Sequence, residues 1–260
     1  MKQFSRVALL VFGLSLAAGN AFAQGEGTAV GVNPDAVARI SATDRLLQVG
    51  SDVSVGEVIV TGPAGQVQIV FDDDTRLVVG PRSSLLIETY LMASSNRAQK
   101  LTINALGGSF RFITGNSPKP AYTINTPTAS IAVRGTEFDL LVQRSNTKVM
   151  LYEGALRVCN DASDCTELTD RCEVGLAGNQ QTLLYRRNDP NRQPLSTEFR
   201  YARFQGGLLA QFRVRSPSSC VESAPNTESG SSAPGTTTST SSPQVTPPPI
   251  VRPGGKNFRP

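Results

Sequence analysis

Histidine and tryptophan are missing from this 260-residue chain, and aromatic residues make up only 6% of it. Without histidine the commonest general acid–base is gone, so a hydrolase would need paired carboxylates, a Ser–Lys pair or a thiolate. No Cys-x-x-Cys spacing occurs either, which with the missing imidazoles argues against zinc. Neither a metal nor a cofactor is expected, and an enzyme is the weakest of the readings. Continuous apolar stretches are also short: none reaches the roughly 20 residues that span a bilayer as a helix, so no transmembrane segment is expected in the mature chain. A strong excess of one charge is lacking too, since the formal net charge is only +4. That balance gives no case for nucleic acid as a partner.

The chain does have a leader-like start. Lys2 and Arg6 precede the apolar run Val7 to Ala18, and Ala21-Phe22-Ala23 offers small residues where a signal peptidase cleaves. Cleavage after Ala23 is expected, with the mature protein in the periplasm. The +4 charge then loses Lys2 and Arg6, leaving +2. No cysteine follows the cleavage point to accept a lipid. The four cysteines, Cys159, Cys165, Cys172 and Cys220, are an even number in an exported chain, so disulfides are the default and three pairings are open. The favoured one joins Cys159 to Cys165 across a tight hairpin and Cys172 to Cys220 over a long loop.

From 46 to 185 short β-type runs alternate with turn residues, which predicts an all-β domain. Val67, Ile69 and Phe71, then the Asp72-Asp73-Asp74 turn, then Leu77 to Val79 read as one hairpin. Leu101 and Ile103, a reversal at Gly107-Gly108, then Phe110 and Phe112 read as a second. Further strands run through Tyr122 and Ile124, Ile131 and Val133, Phe138 to Val142, and Val149 and Leu151, with turns at Thr126-Pro127, Arg134-Gly135 and Ser145-Asn146. Gln180 to Tyr185 reads as a last strand. The three aspartates could suit calcium, but a solvent-facing turn is the preferred reading.

Residues 24–45 are read as a lead-in and 186–221 as a partly helical extension. Within it Phe199, Ala202, Phe204, Leu208, Leu209 and Phe212 suggest a short amphipathic helix broken at Gly206-Gly207. Arg186, Arg187, Arg192, Arg200, Arg203, Arg213 and Arg215 crowd this part with Tyr185, Phe199, Tyr201 and Phe204 interleaved. A solvated basic face over core aromatics is the preferred reading, with Arg186, Arg187, Arg200 and Arg203 as candidates for holding an anionic glycan or an acidic partner. Residues 222–260 are Ser, Thr, Pro and Gly with almost nothing apolar, and are expected to be a disordered tail.

The run Asn125-Thr126-Pro127-Thr128-Ala129-Ser130-Ile131-Ala132-Val133-Arg134-Gly135-Thr136-Glu137-Phe138 resembles the signature of the FecR domain family. Support comes from Val55 to Gly62, from Gly65 to Leu77, and from Val149 to Val158, which is similar to the family's strand, Glu153-Gly154 turn and following strand. The resemblance spans about Leu47 to Val158. It implies an all-β fold of stacked antiparallel hairpins, partly solenoid-like or sandwich-like, and a role in binding. In the motif Pro127 suits a strand entrance, Gly135 a tight reversal, and Arg134 an ion pair, with Glu137 as candidate. Familiar members restrain sigma factors through a cytoplasmic arm, and no such arm is expected here. The chain is therefore read as a non-catalytic envelope module that contacts another envelope protein. The competing reading is a binding protein for an anionic glycan or small ligand.

Overall fold

Alternating apolar and polar residues become strands over most of the chain. The computed structural model describes residues 26–221. The expected leader (1–23) and tail (222–260) lie outside the described residues. The strands are β1 Gly27–Asn33, β2 Ala36–Ile40, β3 Thr43–Leu46, β4 Asp52–Val53, β5 Val58–Thr61, β6 Gln66–Phe71, β7 Arg76–Val79 and β8 Ser84–Ser94. They continue as β9 Arg97–Ile113, β10 Tyr122–Asn125, β11 Ser130–Val142, β12 Asn146–Cys159, β13 Cys165–Leu168, β14 Val174–Gly178 and β15 Thr182–Tyr185. The residues expected as a lead-in thus supply β1, β2 and most of β3. All strands belong to one hydrogen-bonded sheet whose main path runs β15-β14-β12-β11-β10-β9-β7-β6-β1-β4, with β2, β3, β5, β8 and β13 lying off it. Pairing is antiparallel except between β10 and β9.

One face of this sheet closes on a single apolar core containing Ile69, Phe71, Leu77, Phe110, Phe112, Phe138 and Leu151, all at most 2% exposed. The ring centroids of Phe112 and Phe138 lie 5.5 Å apart. These are the inward positions of the two-residue period, as the sequence predicts.

Three expected reversals do not occur. β9 continues through Gly107-Gly108, β11 through Arg134-Gly135 and β12 through Glu153-Gly154. Each of these glycine sites is a bend, because partner strands stay paired on both sides. Ser84 faces Gly107 while Val79 faces Phe110, and the β11–β12 register merely shifts between Arg134 and Phe138. Positive φ at Gly108 (109°), Gly135 (65°) and Gly154 (86°) gives the kink of a bulge rather than a turn. A long strand can then serve two sections of the sheet: β9 pairs with β8 and β10 before its bend and with β7 and β11 beyond it.

At Gly154 a Cβ would lie 2.0 Å from the Gly135 carbonyl oxygen. Gly154→Ala is expected to cost more than the roughly 1–3 kcal/mol of an unfavourable φ alone, because backbone must also move. Gly206→Ala, with open space around it, should stay within about 0.5 kcal/mol of the parent. Urea-unfolding midpoints of the two variants check this; equal midpoints would contradict it.

The C-terminal part is partly helical, as expected, in short pieces joined by irregular chain. These are α1 Arg192–Ser196 and α2 Arg200–Arg203, with 3₁₀ turns at Ala210–Phe212 and Pro217–Cys220. Side chains of β6 divert the backbone bonds that a helix would need. Gln68 accepts from the Leu209 N–H at 2.7 Å, and Gln66 and Gln68 donate to the Gly207 carbonyl at 3.3 and 3.4 Å. This strap covers the second face of the sheet, where Tyr201, Leu208 and Phe212 pack on Val78, and Phe199 and Val214 on Ile113 and Tyr152. Disulfides join Cys159 to Cys165 and Cys172 to Cys220. The first lies across the β12–β13 hairpin, where the two residues are register partners. The second ties the end of the strap to the sheet.

Candidate functional site

The family-like motif divides into a framework and an exposed remainder. Thr126 closes the β10–β11 turn: its hydroxyl accepts from the Ala129 N–H at 2.9 Å and lies 2.7 Å from the Thr147 hydroxyl. Pro127 sits exposed in that turn. Val133 and Phe138 point into the core, and Thr136 is buried, its N–H donating to the Thr114 hydroxyl at 2.9 Å. Glu137 and Glu153 stand directly opposite each other on β11 and β12. Burial first, then the Glu153 charge, pushes the Glu137 carboxyl above its ordinary range.

Arg134 departs from its expected role. It is exposed, and among the described residues it forms no ion pair with Glu137 or any other acid. It lines an outward groove with Pro120, Tyr122, Thr123, Ala132 and Arg157.

The Asp72-Asp73-Asp74 cluster is the expected turn between β6 and β7, but not all of it faces solvent. Asp72 and Asp74 are exposed, but Asp73 is fully buried. Its carboxylate accepts from the Ser117 hydroxyl at 2.5 Å, the Tyr122 hydroxyl at 2.9 Å and the Tyr90 hydroxyl at 3.3 Å. Those bonds hold β8, β10 and the segment around Ser117 to the β6–β7 turn, and use the acceptor sites a cation would need. Burial, with the Asp73 charge beside them, raises both tyrosines, so their hydroxyls remain donors.

A second buried node was not anticipated from the sequence. Arg111 on β9 and Asp139 on β11 are register partners, 0% and 2% exposed, joined in a fork at 2.6 and 2.9 Å. The Tyr152 hydroxyl donates to Asp139 at 2.7 Å, and Gln205 of the strap accepts from Arg111. The guanidinium carbon lies 5.1 Å from the Tyr152 ring centre and 5.5 Å from that of Tyr201. Burial pulls the Arg111 pKa down, and the Asp139 charge and hydrogen bonds more than offset that. The node ties the strap to the sheet and is closed to solvent, so it is framework.

The basic C-terminal face does not form as one surface. Arg192 is buried, donating to the Arg187 carbonyl and to the Cys220 carbonyl. Arg186 is exposed and faces Glu173 at 3.8 Å, while Arg187 is also exposed. Arg200 and Arg203 are exposed on α2, and Arg203 stacks at 5.2 Å on Phe204, which is 63% exposed. Phe199 and Tyr201 are core, as the preferred reading had it.

The edge strand β3 presents another surface. It pairs only with β2, and all four of its residues are exposed. The Leu47 N–H bonds to the Ala36 carbonyl, which fixes the alternation of the antiparallel ladder: the N–H groups of Asp44 and Leu46 point away from β2. Ile40, Leu46 and Val49 on this hairpin and its exit are 49%, 62% and 68% exposed.

Residues 57–157 match the model of the family described as FecR protein. The resemblance read from the motif is thereby borne out over that span. No curated protein matches the chain. Among solved structures, similarity extends to a protein from Parabacteroides distasonis described as a candidate anti-sigma factor. Two crystal structures of it, at 1.65 and 2.50 Å resolution, are 14% identical over 54% of this chain, with TM-scores of 0.39 and 0.40. The chain spans 64% and 62% of their lengths. Among the described residues no helix is long and apolar enough to cross a membrane.

Proposed function

We propose that this FecR-domain chain is a non-catalytic interaction or sensing module of the cell envelope, exported to the periplasm, which binds an extended segment of another envelope protein along β3. One observation carries the reading: β3 is an edge with free outward N–H groups flanked by exposed apolar side chains. Edges are normally blunted by charge, proline or a covering element. Here Asp44 is occupied by Arg39 at 2.5 Å and Arg45 by Glu57 at 2.7 Å, leaving Leu46 and Ile40 to flank the edge. An added strand would take its affinity from main-chain hydrogen bonds and its selectivity from those apolar neighbours. The two disulfides suit an oxidising compartment.

Immobilised full-length protein should recover a stoichiometric protein partner from an envelope extract. Leu46→Pro removes one outward N–H without breaking the β2–β3 ladder, and should lower that recovery by about tenfold. Recovery unaffected by Leu46→Pro would refute the edge as the site. A second reading, an anionic glycan held by the exposed arginines, draws on the Arg203–Phe204 stack. Under it, retention on isolated cell wall would be salt-sensitive and lost in Arg200→Glu/Arg203→Glu, with Leu46→Pro having no effect.

A further inference from the structure

We propose that the outward face of β10, β11 and β12 is a second site, which takes an extended acidic peptide segment bearing carboxylates two residues apart. Strand register places the recognising groups. Thr123, Ala132, Arg157 and Glu167 lie in one row across β10 to β13, and Arg134 sits opposite Ala155 in the next outward row. Arg134 and Arg157 are therefore diagonal neighbours, on the order of 7 Å apart at the backbone. Alternate residues of an extended chain repeat at nearly the same interval, about 6.6–6.8 Å. A strand lying over Ala132 and Thr123 could thus bring one carboxylate to each guanidinium, in the planar geometry that arginine favours.

The floor is shallow because Thr123 and Ala132 are small, and Pro120 lines the groove beside it. Neither Arg134 nor Arg157 makes a hydrogen bond or ion pair among the described residues, whereas Arg39, Arg45 and Arg111 each hold an acid. Glu167 is the one acid lining the groove. It is the register partner of Arg157 yet forms no ion pair with it, so the three charges sum to +1 (two cations, one anion). Regularly spaced charges on a flat strand surface match a protein segment better than an isolated phosphate, which would engage one arginine. This site is separate from β3 and does not depend on the edge reading.

The test is fluorescence anisotropy with full-length protein and a labelled alternating Glu-Ala octapeptide, beside its Gln-Ala analogue and oligogalacturonate. The Glu peptide should bind, and the Gln peptide should not. Arg134→Gln/Arg157→Gln should weaken binding at least about tenfold, and higher salt should weaken it in the parent. Glu167→Gln should tighten it by about threefold, since it removes a competing carboxylate, a gain that lost structure cannot produce. Leu46→Pro should leave it unchanged. Unaltered binding in the double variant, weaker binding in Glu167→Gln, or oligogalacturonate binding without the Glu peptide would overturn the assignment.

Discussion

Arg111→Met should destabilise the protein by about 3–5 kcal/mol, because it strands the Asp139 carboxylate in a site closed to water. With Asp139 only 2% exposed and left with the Tyr152 hydroxyl, the carboxylate would carry its desolvation cost uncompensated. The companion variant makes the argument specific. Arg111→Met/Asp139→Leu removes both charges, and replacing a whole buried pair with apolar side chains is often neutral or stabilising. Urea unfolding should therefore show a large loss for the single variant and recovery of most of it in the double. A single variant within about 1 kcal/mol of the parent would mean that water reaches the pair.

Loss of the Cys172–Cys220 bridge should cost nearly as much. Its half-cystines are 48 residues apart and those of Cys159–Cys165 only 6. By loop entropy, opening the long bridge costs about 4 kcal/mol and opening the short one about 2 kcal/mol. The long bridge also anchors the strap that covers Arg111, so Cys172→Ala/Cys220→Ala should expose residues 199–214 to protease before the strands are cut. Cys159→Ala/Cys165→Ala should leave that segment protected. Unfolding under non-reducing conditions, with a protease time course, checks both. Equal costs, or a strap that remains protected, would contradict the anchoring role.

The two predictions also show where local sequence pattern stops being informative. Phe110, Phe112 and Phe138 were legible as core because each alternates with polar residues on a strand. The same alternation puts Arg111, Asp139, Gln66 and Gln68 on the opposite face of their strands. They are buried because a segment more than 50 residues downstream lies over them, and no local period encodes a cover brought from that distance. The glycines misled for a related reason. A Gly with positive φ serves a turn or a mid-strand bulge equally, and only the pairing on both sides of Gly108 and Gly154 decides between them. Asp73 reads like its neighbours Asp72 and Asp74, yet three hydroxyls converge on it alone.

The surfaces were harder to read than the core. Arg134 belongs to a motif whose Val133, Thr136 and Phe138 are framework, which suggested a structural ion pair. Its exposure follows from the outward row of β11, which becomes visible once the register with β12 is known. Most of the β3 edge lies in residues 24–45, where Thr43 to Arg45 carry no strong alternation, and its exposure reflects which strand is left without a neighbour. The cysteine pairing, by contrast, was favoured correctly, because Cys159 and Cys165 bracket a hairpin.

The reading of the chain as an interaction module rests on an unfilled strand edge, and amide hydrogen exchange of the partner-bound complex addresses it most directly. If a partner strand docks on β3, the outward N–H groups of Asp44 and Leu46 should become strongly protected on binding, while the β2-facing N–H of Arg45 changes little. Exchange at Asp44 and Leu46 as fast in the complex as in the free protein would contradict the account.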